Sequence, residues 1–153
     1  CFNYSNLAVV YLPEGLKKIG TLGFFEMPNF AEIYTYKPDS PVTETVLTAV
    51  EGKEIYRSLP DGLEYIGSDA FSYDQALTYM FIPESVTYIG HHAFWDTVYK
   101  EDGELRGVAQ LNVELSKDEF NAKTETGDQW VPQYDKNLLR KIDVVYSSVR
   151  EKM

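Results

Sequence analysis

The chain has 153 residues, a length that fits one domain and leaves little room for two. Its hydrophobic fraction of 44% and charged fraction of 25% are ordinary for a globular protein and exclude wholesale disorder. The formal net charge of −10 would repel a phosphate backbone, so we expect no nucleic-acid partner. The sequence contains no run of about 18 apolar residues, so it predicts no transmembrane segment.

A short motif recurs along the chain. It reads LPEGLKKIGTLGF at 12–24, LPDGLEYIGSDAF at 59–71 and IPESVTYIGHHAF at 82–94. The last two copies are 23 residues apart, whereas the first precedes the second by 47 residues, almost two periods. We therefore predict a degenerate turn over 36–59. A fixed period of this length is typical of repeat solenoids, whose turns bury their apolar faces against one another.

Apolar residues stand six, three and one positions before Pro13 and Pro83, and sets with the same spacing occur at two further places, which predicts one parallel strand per turn in a shared register. The sets are Leu7, Val10 and Leu12; Leu77, Met80 and Ile82; Phe30, Ile33 and Thr35 at the degenerate junction; and Val108, Leu111 and Val113 after an eight-residue insertion at 99–106. The proline that follows lacks an N–H and should end the strand.

The motif glycines Gly20, Gly67 and Gly90 admit two interpretations. Each could adopt a left-handed backbone conformation, or each could let the backbones of adjacent turns approach closely. The first residue, Cys1, is the only cysteine and is expected at the repeat position of Phe71. That position favours a fragment of a longer array over an acylated lipoprotein N-terminus, the other reading of a terminal cysteine.

The copies at 59–71 and 82–94 resemble the BspA-type leucine-rich repeat, whose pattern is roughly L-x-x-I-x-I-P-x-x-V-x-x-I-G-x-x-A-F. The resemblance implies a right-handed β/α superhelix of short strands, turns and short helical segments, with about five turns over 1–113. The family often has Cys three residues after the Phe, where this chain has Met27, Asp74 and Thr97.

The tail at 114–153 resembles the segment that closes such arrays. We expect a short helix around 117–122 and a last strand near 141–146. This C-terminal cap would present polar residues outward, because no further turn stacks on it.

Aromatic residues occupy strand positions between the predicted core residues, and they should form one stripe on the concave sheet. The members are Tyr11, Tyr34, Tyr56, Tyr79 and Phe81. Such a stripe could bury a peptide, a protein surface or a sugar. Alternatively, the rings could stack across strands and only stabilise the sheet.

Nothing in the sequence singles out a catalytic site, a metal site or a cofactor. His91 and His92 are adjacent and lack an evident third ligand, and the acidic residues after the prolines follow the repeat period. The segment at 36–53 is either a decayed repeat or a bulge that carries function, and we favour decay.

The resemblance therefore predicts a non-enzymatic binding module of a bacterial cell-surface or secreted protein that contacts a protein or glycan outside the cell. The alternative is a structural spacer without its own ligand. An open sheet edge could also pair two copies of the chain.

Overall fold

A computed structural model describes residues 2–36, 55–90, 92–94, 99–101, 104–106, 110–125, 143–147 and 149. The strands are β1 (Val9–Pro13), β2 (Lys18–Ile19), β3 (Glu32–Tyr36), β4 (Ile55–Tyr56), β5 (Tyr65–Ile66), β6 (Tyr79–Ile82), β7 (Tyr88–Ile89), β8 (Tyr99–Glu101), β9 (Glu104–Arg106), β10 (Gln110–Val113) and β11 (Asp143–Tyr146), and the described helix is α1 (Lys117–Glu125).

The strands that precede the motif prolines, together with those that pair beside them, form two three-stranded sheets, which we call the first column. In it β1 pairs in parallel with β3, which pairs with the antiparallel β4, and β6 pairs in parallel with β10 and β10 with β11. Leu12 lies opposite Thr35 and Ile82 opposite Val113, so the predicted register is confirmed at both pairs.

The insertion at 99–106 forms an antiparallel hairpin of β8 and β9. The pairing offset between β6 and β10 is 31 residues, which is the 23-residue period plus this eight-residue insertion. The parallel ladder therefore passes over the hairpin without losing register.

A second column, which the sequence did not predict, consists of the two-residue strands β2, β5 and β7 in parallel. In each strand the isoleucine before the motif glycine is buried, and the residue before it faces outward. The buried members are Ile19, Ile66 and Ile89, and all three belong to the hydrophobic core.

The degenerate turn predicted over 36–59 does not separate the motif copies in this column. Lys18 lies opposite Tyr65 and Ile19 opposite Ile66, so β2 and β5 are direct neighbours. An intervening turn would hold them two strand spacings apart, which is too far for hydrogen bonds between them. No strand therefore lies between β2 and β5. Of 36–59 the structure describes Tyr36, which ends β3, and residues 55–59, which include β4 of the first column.

Two motif glycines mark the closest approach between stacked units. A Cβ atom on Gly67 would lie 2.4 Å from the Thr21 nitrogen, and one on Gly90 would lie 2.4 Å from the Ser68 nitrogen. Neither glycine has a positive φ. Close approach is therefore the correct interpretation for Gly67 and Gly90, whereas Gly20 fits neither, because its φ is not positive and nothing lies within 4 Å of a Cβ there. The left-handed residues other than glycine each stand two residues before or two residues after a phenylalanine, namely Tyr4, Leu22, Glu26, Asp69, Tyr73 and His92.

A ladder of phenylalanine rings runs through the stack beside these backbones. Phe2, Phe24, Phe71 and Phe94 stack in turn with centroids 5.4 to 5.7 Å apart. The Phe2 N–H donates to the Gly23 carbonyl just as the Phe24 N–H donates to that of Ala70. The first-turn equivalent of Phe71 is therefore Phe2, and the prediction that Cys1 takes this position is wrong by one residue.

Helix α1 begins at a capping box. The Ser116 N–H donates to the Glu119 carboxylate, and the Glu119 N–H donates to the Ser116 hydroxyl. Phe120 is buried against the core and meets the Tyr146 ring edge to face at 5.7 Å. The predicted short helix and last strand are thus both present, as α1 and β11.

Replacing Gly67 by Ala should destabilise the protein by about 1–3 kcal/mol, because its Cβ would overlap rigid backbone of the neighbouring unit. Gly20→Ala is the matched control, since nothing lies within 4 Å of a Cβ there, and its effect should stay within about 0.5 kcal/mol. Urea denaturation measures both changes. Equal losses in the two variants would show that close approach is not the reason for the glycine.

Phe71→Ala should cost about 3–5 kcal/mol, because it empties a fully buried position between two stacked rings. Phe2→Ala removes a ring from the same ladder where it is 50% exposed, so it should cost much less. Thermal unfolding of both variants tests the difference, and a comparable loss of stability would contradict it.

Candidate functional site

The first two residues of the predicted stripe lie side by side on the first column. Tyr11 of β1 is opposite Tyr34 of β3, and their rings stack with centroids 5.4 Å apart and planes 23° apart. Their strand neighbours Val10, Leu12 and Ile33 pack in or against the core, so both tyrosines lie on the opposite face of the sheet. Both rings are partly exposed.

An ion pair continues this face beyond Tyr34. The Arg57 guanidinium donates two hydrogen bonds to the Glu32 carboxylate, with Nε–Oε2 at 2.9 Å and Nη2–Oε1 at 3.2 Å. The same guanidinium lies 4.3 Å from the centroid of the Tyr79 ring. Arg57 therefore connects β3 with β6, and we call the group Tyr11, Glu32, Tyr34, Arg57 and Tyr79 the contact face.

The hydroxyl of Tyr34 belongs to the same network. Burial raises the pKa of Tyr34 above its ordinary value, and the charge of Glu32 and a hydrogen bond to it raise that pKa further, while Arg57 lowers it. The Tyr34 hydroxyl is therefore the donor toward the Glu32 carboxylate.

Phe81 does not belong to an exposed stripe. It alternates with Met80 and Ile82, so it lies opposite the core, yet its side chain is only 1% exposed. Asn112, its neighbour on β10, is also buried. Both faces of the sheet are therefore covered at this point, which corrects the placement of Phe81. Tyr56 pairs with Thr35 and is half-buried.

Sequence reasoning missed Glu32 and Arg57, because both stand beside the degenerate turn, where the motif offers no alignment. It also missed a second aromatic row on the second column. Tyr65 and Tyr88 stack there with centroids 4.7 Å apart and planes 7° apart, and the Lys18 ammonium lies 5.9 Å from the Tyr65 centroid. The tripeptide Tyr-Ile-Gly, which recurs at 65–67 and 88–90, could have predicted this row, because residues one period apart lie side by side.

A serine, a histidine and an aspartate meet between the second and third motif copies, but they do not form a catalytic relay. The Ser72 hydroxyl bonds to the Asp69 carboxylate at 3.2 Å and to the backbone carbonyl of His92. The His92 Nδ1 lies 3.8 Å from Asp69 Oδ1. Nucleophilic catalysis would need a hydroxyl that donates to the imidazole ring.

Within the described ranges, no three His, Cys, Asp or Glu side chains group closely enough to hold a metal ion. His91, the other histidine of the adjacent pair, lies outside the described residues. None of the described helices has the length and apolar character needed to span a membrane.

Asp74 is a buried acid at the position where the resemblance places a cysteine. Its side chain is 0% exposed, and its Oδ1 accepts a hydrogen bond of 2.9 Å from the Met27 N–H of the neighbouring unit. Its Oδ2 has no hydrogen-bond partner among the described residues. Burial raises the pKa of Asp74 to about 8, and the Met27 hydrogen bond lowers it in part.

We expect Asp74 to make stability fall as pH rises. The folded state holds the proton up to about pH 8, whereas the unfolded chain releases it near its ordinary pKa of 3.8. The free energy of unfolding should therefore fall between about pH 4 and 8, by up to about 1.4 kcal/mol per pH unit, and level off above pH 8.

Asp74→Asn cannot ionise and should remove this part of the pH dependence in urea denaturation from pH 5 to 9. Asp61→Asn removes an exposed carboxylate and should retain the slope. The same slope in Asp74→Asn and the wild type would rule out a buried proton at this position.

Comparison with known families agrees with the motif. The family model described as BspA type Leucine rich repeat region matches residues 1–102 in six copies. Searches of curated proteins and of solved structures give no significant match.

Proposed function

We propose that this chain, which belongs to the BspA-type leucine-rich repeat family, is a non-enzymatic binding module that contacts a protein through the contact face. The observation that carries this proposal is the arrangement of Tyr11, Tyr34 and Tyr79 around the Arg57–Glu32 ion pair on one face of the first column.

The contact face is held in place before a partner arrives. The strands that carry Tyr11 and Tyr34 are joined by a parallel ladder, and Arg57 is fixed by its two bonds to Glu32 and by the Tyr79 ring. Binding through side chains that are already ordered loses little conformational entropy. Tyrosine and arginine are also enriched at the energetic centres of protein interfaces.

The geometry of the rings favours a protein over a sugar. Stacking of Tyr11 on Tyr34 covers one ring face of each residue, and Arg57 covers one face of Tyr79. One face of each ring is therefore already occupied, which leaves less open ring face for a sugar to pack on than isolated rings would offer. The net charge of −10 disfavours nucleic acid.

Family membership supports a place at the cell surface. Repeats of this family are typical of bacterial surface or secreted proteins, so we propose that the chain works outside the cell in adhesion or host-protein contact. We further propose that the described columns belong to a solenoid of about five turns over 1–113 with a cap at 114–153.

A structural spacer is the second candidate function. The same contacts favour it, since cross-strand ring stacking and the Arg57–Glu32 ion pair are internal to the chain and stabilise the sheet without any ligand.

An array of extracellular-matrix proteins and glycans distinguishes the two functions. The test variant is Tyr11→Thr with Tyr34→Thr and Tyr79→Thr, and the control is Tyr65→Thr with Tyr88→Thr, which removes the other stacked row. Thr keeps the preference for strands, and circular dichroism checks folding. We expect a protein hit that weakens at least about tenfold in the test variant and persists in the control.

Other outcomes of the array have equally definite readings. Silence from the wild-type protein would support the spacer. A glycan hit would contradict the protein partner, and a hit retained by the test variant would move the binding site off the contact face.

Pairing of two copies through β1 is a separate part of the proposal. Among the described strands β1 pairs only with β3, and Val9 is exposed on it. Sedimentation equilibrium should show a dimer of the wild-type protein that Val9→Lys dissociates. A wild-type protein that stays monomeric at high concentration would contradict pairing through β1.

A further inference from the structure

A third aromatic row lies apart from the contact face. Tyr4 meets Phe25 with centroids 5.8 Å apart, and Phe25 meets Tyr73 with centroids 5.5 Å apart. Tyr4 is 66% exposed and Tyr73 is 39% exposed, so both are more open to solvent than the tyrosines of the contact face. The row stands just after the phenylalanine ladder, where Tyr4 follows Phe2 and Tyr73 follows Phe71 by two residues.

The backbone holds this row in a conformation that bulky residues rarely adopt. Tyr4, Glu26 and Tyr73 have φ values of 59°, 52° and 62°. All three stand two residues after a phenylalanine of the ladder, a position that glycine or asparagine would occupy with less strain. The Tyr4 and Glu26 N–H groups donate to the carbonyls of Phe25 and Ser72, which fixes the backbone from one unit to the next.

The rings of this row keep more of their faces open than those of the other two rows. The planes of Tyr4 and Phe25 lie at 80°, and those of Phe25 and Tyr73 at 83°. An edge-to-face contact covers a face of only one of its two rings, whereas a stacked contact covers a face of both. The face of an aromatic ring carries negative charge density and attracts cations.

The exposed charge within the row is negative. Glu26 follows Phe25 in the chain and is exposed. The two lysines that precede Phe25 have partners elsewhere, since Lys17 meets Glu64 and Lys18 of β2 meets the Tyr65 ring. A net charge of −10 adds long-range attraction for a cation.

We propose that Tyr4, Phe25, Glu26 and Tyr73 form a second binding surface that takes the Arg or Lys side chains of a basic segment of a partner protein. Open ring faces receive the cation, and the Glu26 carboxylate neutralises it. This surface is independent of the contact face, so either can fail without the other.

A fluorescent oligo-arginine peptide tests the proposal, with an oligo-glutamine peptide of equal length as the neutral probe. Anisotropy should show binding of the arginine peptide alone, and this binding should weaken as salt is added. Tyr73→Asn and Glu26→Gln should each weaken binding about two- to fivefold. Asn is chosen because it tolerates the left-handed backbone conformation of Tyr73. If Tyr73→Asn does not fold, Tyr4→Asn at the exposed end of the row replaces it.

Glu84→Gln removes the same charge from an exposed position elsewhere and should leave binding nearly unchanged. Equal losses in Glu26→Gln and Glu84→Gln would overturn the proposal, because they would show attraction to the net charge alone. Absence of binding by the wild-type protein would also overturn it. So would a neutral oligosaccharide whose binding needs Tyr73 but not the charge of Glu26.

Discussion

The structure depends on the close backbone approach between stacked units at Gly67 and Gly90. A Cβ atom at either position would lie 2.4 Å from backbone nitrogen of the neighbouring unit, so only glycine lets the ladder hydrogen bonds form there. Once the units stand one strand spacing apart, equivalent side chains are brought within contact distance. The phenylalanine ladder, the Tyr11–Tyr34 pair and the Tyr65–Tyr88 pair are all results of this single spacing.

The same constraint gives aromatic rows with different chemical uses. Tyr65 and Tyr88 stack with planes 7° apart, so one face of each ring contacts the other ring and the contact stabilises the sheet. Next to the left-handed residues Tyr4 and Tyr73, the rings meet edge to face, with planes 80° and 83° apart. Ring geometry therefore differs between the rows on regular strands and the row at the left-handed positions, a difference that the composition of the rows does not reveal.

Much of the fold follows from the repeat. The apolar spacing predicts the register of Leu12 against Thr35 and of Ile82 against Val113, because equivalent residues recur at the period of 23, which the eight-residue insertion lengthens to 31 for the second pair. Short two-residue strands such as β5 escape prediction, since two residues cannot show an alternating pattern. The burial of Phe81 is equally hidden, because both faces of its strand are covered and alternation marks only the face toward the core.

The candidate site was less predictable than the fold. Tyr11 and Tyr34 follow from register, but Arg57 and Glu32 meet across the degenerate turn, where no motif aligns them. Asp74 was visible only as a departure from the family pattern, and its burial and its bond to Met27 come from the packing of one unit on another. Interactions between units are encoded by pairs of residues far apart in sequence, which a pattern within one unit does not report.

Because β2 pairs directly with β5, the two columns hold different numbers of strands where the first and second motif copies meet, and we call this place the joint. On the first column, β3 and then β4 follow β1, and Leu59, just after β4, bonds to the Phe81 carbonyl. On the second column the first and second motif copies are immediate neighbours. One side of this joint therefore holds one additional strand and is wider by about 4.8 Å, the spacing between neighbouring strands. Arg57 lies on the wide side of the joint, where its guanidinium fills the interval between β3 and Tyr79.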